Sequence, residues 1–61
     1  MSTDILEEFE ILAKIIESIR ADITKNAAGN KSAGVRSRKA LREVKKKASV
    51  LVKLSLENDK S

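Results

Sequence analysis

The chain of 61 residues contains no cysteine, histidine, proline, tryptophan or tyrosine, and one aromatic residue, Phe9. Without cysteine there are no disulfides, no thiolate nucleophile and no zinc-finger ligands. Without histidine there is neither an imidazole ligand nor a base that titrates near neutrality. The acidic residues form no cluster at the loop spacing that would hold magnesium or calcium, so no metal and no other cofactor is expected. An enzyme is the weakest reading, because the serines have no evident activating partner, and no small-molecule substrate is expected. Lack of an aromatic platform argues against recognition of unpaired bases. No apolar run exceeds three residues (Ile11-Leu12-Ala13, Val50-Leu51-Val52), and the first residues are acidic rather than a basic signal region. A cytoplasmic protein with no membrane span is the expectation.

With no proline, only Gly29 and Gly34 punctuate the chain. At this length one core is marginal, and in the absence of disulfides and metal, oligomerisation is the remaining source of stability.

The charge is polarised. Residues 1–25 carry six acids and three bases, for −3, whereas residues 26–61 carry ten bases and three acids, for +7. Such asymmetry points to a polyanionic partner for the second half.

Asp4 and Glu7 form a capping-box-like pair, so a helix is expected from about residue 5 to 26. Its apolar residues Ile5, Phe9, Leu12, Ile16, Ile19 and Ile23 follow 4, 3, 4, 3, 4 spacing, the seam of helices packed side by side. Leu6, Ala13 and Ile15 widen that seam beyond a two-helix contact. Ile11 lies off it. The asparagines and Gly29 then read as a turn over about 27–32.

Asn30 and Ser32 are alternative caps for a second helix over about 33–57, with residues 58–61 expected to fray. Leu41, Val44, Ala48 and Leu51 continue a seam, and Gly34, Ser37, Ala40 and Ala48 are small enough for close backbone approach near the turn. At about 100° per residue, Lys31, Arg38, Lys39, Arg42, Lys45, Lys46 and Lys53 gather on the face away from that seam, with Arg36 and Lys47 on its flank. Glu43 is the one acid between Arg36 and Lys53. Like charges such as Arg38/Arg42 and Arg42/Lys46 repel at i,i+4, a cost that a merely solvated face has little reason to carry.

The expected fold class is all-α: one domain, an antiparallel two-helix hairpin, dimerising into a four-helix bundle because two helices alone leave the flanks of both wide stripes wet. An extended or swapped coiled-coil dimer competes with it.

The stretch Gly29-Asn30-Lys31-Ser32-Ala33-Gly34-Val35-Arg36-Ser37-Arg38-Lys39-Ala40 resembles the short bacterial linker-histone-like proteins, the group that includes the chlamydial histone-like protein. The likeness rests on Gly29, Asn30, Lys31, Ala33, Gly34, Arg36, Arg38 and Lys39, and extends more loosely through Leu56. It implies association with chromosomal DNA in the nucleoid and self-association of the helical part. Chlamydial members continue into a Lys/Ala-rich tail. In this sequence the stripe from Lys31 to Lys53 is expected to hold DNA itself.

On that reading Lys31, Arg36, Arg38, Lys39, Arg42, Lys45 and Lys46 contact phosphates of double-stranded DNA, with RNA as a second candidate, and nothing marks a base-reading element. A different class is a helical interaction module that binds an acidic protein, with Ile11, Val50 and Leu56 as contacts. Binding to an anionic lipid surface suits the cationic face but not the acidic first helix.

Overall fold

In the computed structural model two helices, α1 (Ser2–Ala27) and α2 (Lys31–Lys60), are joined by Ala28-Gly29-Asn30 and fold back on each other as an antiparallel hairpin. The structure describes the backbone of residues 2–60 and the side chains of residues 5–60, and no strand occurs among the described residues. The hairpin is a rod of about 48 × 14 × 11 Å.

The turn is built from local chemistry. Gly29 adopts φ 104°, the left-handed region open to glycine. Its N–H donates to the Asn26 carbonyl (2.9 Å) and the Asn30 N–H donates to the Lys25 carbonyl (3.0 Å), the paired bonds of a Schellman ending. Asn30 then starts α2: its Oδ1 accepts the Ala33 N–H at 3.0 Å, so Asn30 rather than Ser32 is the cap. One tripeptide therefore closes one helix and opens the next.

Next to the turn the helices approach closely. Ala33, Gly34 and Ser37 are buried, and the Ser37 hydroxyl is satisfied by donating to the Gly34 carbonyl at 3.0 Å. A Cβ at Gly34 would collide with the Asn26 side-chain amide, so the missing side chain is what admits Asn26.

Burial along the rod traces the contact between the helices. In α1 its line runs through Ile5, Glu8, Leu12, Ile15, Ile19, Asp22 and Asn26, with Ala13 beside it; in α2 through Ala33, Ser37, Ala40, Val44, Lys47, Leu51, Leu54 and Asn58, with Gly34 and Ala48 beside it. Both sets alternate three and four residues, the side-by-side heptad pattern. The helices are rolled relative to the seam read from the sequence. Leu12 and Ile19 are buried, and Ile5, Val44, Ala48 and Leu51 half-buried. Phe9, Ile16, Ile23 and Leu41 are exposed in the single hairpin, while Glu8, Ile15 and Asp22 take the line facing α2.

The helix ends also differ from the expectation. α1 begins at Ser2, so Asp4 lies inside the helix rather than ahead of it, and its side chain lies outside the described residues. α2 runs through Lys60, so residues 58–60 are helical instead of frayed; Ser61 lies outside the described residues. No helix is long and apolar enough to cross a membrane among the described residues.

Candidate nucleic-acid interface

The α2 face turned away from α1 is cationic. Arg42, Lys46 and Lys53 run along its outermost line, Arg38 and Lys45 flank that line on one side and Lys39 on the other, and Lys31 stands at its turn end; all are exposed. From Lys31 to Lys53 the line covers about 33 Å at 1.5 Å per residue, close to one turn of B-DNA. The two ion pairs found among the described residues, Arg20–Glu17 and Arg36–Asp22, use none of these side chains. Their charge faces solvent.

Arg36 is placed differently. It lies on the opposite flank, in a shallow groove with Ile15, Lys39, Ala40 and Glu43. Its Nε and Nη2 donate to the two carboxylate oxygens of Asp22, with Nη2 to Oδ1 at 2.9 Å and Nε to Oδ1 and Oδ2 at 3.2 and 3.3 Å. These hydrogen bonds, helped by the guanidinium charge, hold the Asp22 carboxyl below its ordinary range and raise Arg36 above its own. Arg36 is thus already occupied as a clasp between the helices. Glu43, in the same groove, stands off the Arg38/Arg42/Lys45 line.

Beside the cationic face lies an apolar one. Ile16, Ile19, Ile23 and Leu41 border one groove, with Arg20 and Thr24; Ile5, Leu6, Phe9, Leu51, Val52 and Leu56 border another nearer the open end, with Ser55. Phe9 is 52%, Ile16 51% and Val52 60% exposed. Ile11 and Val50, also exposed, stand on the reverse side.

Of the residues read as a DNA-contacting set, the fold keeps Lys31, Arg38, Lys39, Arg42, Lys45 and Lys46 on one solvent-facing surface and diverts Arg36 to Asp22. Asp22 and Asn26 were missed by the sequence reading. Their signal was their position: both continue the 8, 15, 22 and 12, 19, 26 heptad lines, but a polar residue on such a line does not announce its partner.

Against known families, the chain matches the one described as Histone H1-like protein Hc1 over residues 6–61. The chain belongs to the histone H1-like Hc1 family. The match takes in nearly all of α1, the turn and all of α2, so the cationic face and the apolar face are both parts of an Hc1-type sequence. Structure also explains the central Hc1-like stretch: Gly29 supplies the positive φ, Asn30 the cap and Gly34 the space for Asn26. Comparison with curated proteins and with solved structures returned no match.

Proposed function

We propose that this protein is a histone-like, nucleoid-associated DNA-binding protein that grips the phosphates of double-stranded DNA without reading sequence, and that it works as a homodimer. The observation that carries the reading is the cationic face of α2: six exposed bases, Lys31, Arg38, Lys39, Arg42, Lys45 and Lys46, free of the two ion pairs found among the described residues. Membership of a family whose description is histone H1-like supports DNA as the polyanion. Long flexible bases on one exposed helix face suit the evenly spaced charge of a duplex. They present no planar side chain held in place to discriminate base edges. Arg36 contributes less than its neighbours, because binding a phosphate requires it to leave Asp22.

The test is competition between two unrelated duplexes of equal length, for the wild type and for an Arg38→Ala/Arg42→Ala/Lys46→Ala variant with helicity checked by circular dichroism. Equal competition by both duplexes, and at least a tenfold loss of affinity in the folded variant, are expected. Strong preference for one duplex, or undiminished binding in the variant, would overturn the reading. Comparison with duplex RNA places the second candidate partner. A saturable complex with an acidic protein and no DNA binding would instead mark an interaction module.

A further inference from the structure

The hairpin exposes 4857 Å². A folded monomer of its 6.7 kDa mass is expected to expose about 3,900 Å². The surplus is comparable to the roughly 800 Å² that each partner buries in a standard interface. Among the exposed large apolar side chains, Phe9, Ile16, Ile23, Leu41 and Val52 lie on one face, which runs nearly the length of the rod.

With the two 48 Å rods aligned, so that the face is covered along its length, a second copy can dock about a two-fold axis in two ways. With the axis across the rod, the turns lie at opposite ends, α2 stacks on α2 of the partner, and both cationic faces look the same way. With the axis along the rod, the turns lie at the same end, α2 stacks on α1 of the partner, and the cationic faces look in opposite directions. Charge separates the two. From the sequence, α1 carries six acids and three bases, for −3, and α2 carries ten bases and three acids, for +7. Arg38 and Lys45 lean toward the apolar face. In the first arrangement they meet the same bases of the other α2. In the second they run beside the partner's α1, a helix of net charge −3 whose edge carries Glu10 and the Glu17–Arg20 ion pair, with Arg20 bordering the groove. Like-charge contact along a whole interface disfavours the first.

We infer that two copies dock through the Phe9/Ile16/Ile23/Leu41/Val52 face with their turns at the same end, so that each dimer presents two cationic stripes on opposite sides and holds two duplexes apart rather than coating one. The inference rests on the DNA-binding reading only for the nature of what the stripes hold; the docking itself does not depend on it.

The absence of cysteine makes the test clean. A spin label on Ala28→Cys, an exposed turn position, reports the turn-to-turn distance in the dimer. Turns at one end give a separation of about 15–25 Å, from interaxial spacings of roughly 10 Å plus the label arms. Turns at opposite ends of a 48 Å rod give about 40 Å or more. In parallel, a bead-bound duplex is tested for capture of a second, free duplex by the wild-type protein. A short distance together with capture is the expected result. A long distance, or a monomer by sedimentation at micromolar concentration, overturns the docking. A short distance with tight binding of one duplex but no capture of a second overturns the two-sided arrangement. A short distance with no duplex binding at all supports the docking and refutes the DNA-binding function instead.

Discussion

Arg36 reaches across from α2 to clasp Asp22 of α1, its Nη2 2.9 Å from Oδ1, in a bidentate pair that joins the two helices near the turn. Because the carboxyl is held below its ordinary range, the pair contributes stability that is present above the unfolded value of about 3.9 and is lost as pH falls through the folded value. Arg36 stays protonated throughout and adds no pH dependence. Thermal melts should show the wild type above Asp22→Asn at pH 7, with the gap closing as pH drops from about 4 toward 2. A gap that stays constant across that range would show that the clasp contributes nothing to stability.

Gly34 makes the opposite of the usual prediction for a glycine inside a helix. Elsewhere, alanine would gain about 0.8–1 kcal/mol from helix propensity. Here the added Cβ meets the Asn26 amide and lies 3.1 Å from Arg38 Nη1, and moving Asn26 breaks its bond to the Asn30 carbonyl. Gly34→Ala should therefore destabilise by about 1 kcal/mol in urea unfolding, within the usual range for overpacking. In an Asn26→Ala background the same change should become stabilising.

Asn30 is worth testing as a cap by itself. Loss of its Oδ1 leaves the Ala33 N–H without that partner, and Asn30→Ala should cost roughly 1 kcal/mol, while Asn30→Asp should retain most of the stability. Equal stability of the alanine variant would show that Ser32 or solvent replaces the cap at no cost.

The exposed apolar face should matter for association more than for the hairpin itself. Ile16 is half exposed in the single chain, so Ile16→Ser removes little from the α1–α2 contact. Each dimer loses two such side chains. At about 1.5 kcal/mol or more each, self-association should weaken at least about 100-fold by sedimentation equilibrium. Unchanged association would place the dimer contact on another face.

How much of this was readable in advance follows the range of the interactions. The turn depends on residues within six positions of one another, and Gly29, Asn30 and the two flanking periodicities declare it. The cationic face was likewise legible, because spacing within one helix places Arg38, Arg42 and Lys45 together whatever lies opposite. The roll of the helices was not. Beside its Ile5, Leu12 and Ile19 line, α1 carries Phe9, Ile16 and Ile23 on one flank and Ile15 between the polar Glu8 and Asp22 on the other, and the apolar pattern alone points to the first flank. The choice is made by partners that no local pattern shows: Gly34 receiving Asn26, and Arg36 reaching Asp22 fourteen residues back. That same clasp is why Arg36, read as one of the DNA contacts, differs from its neighbours.

The most direct measurement is the dependence of duplex affinity on salt for the wild type beside Arg38→Ala/Arg42→Ala/Lys46→Ala. Phosphate gripping by the α2 face predicts a log–log slope of roughly −4 to −6, at about −0.9 per phosphate, made shallower by about 2–3 in the variant. Arg36→Ala should change it less than Arg42→Ala. A flat slope in the wild type, or a slope that the triple variant leaves unchanged, would contradict the assignment of DNA to this face.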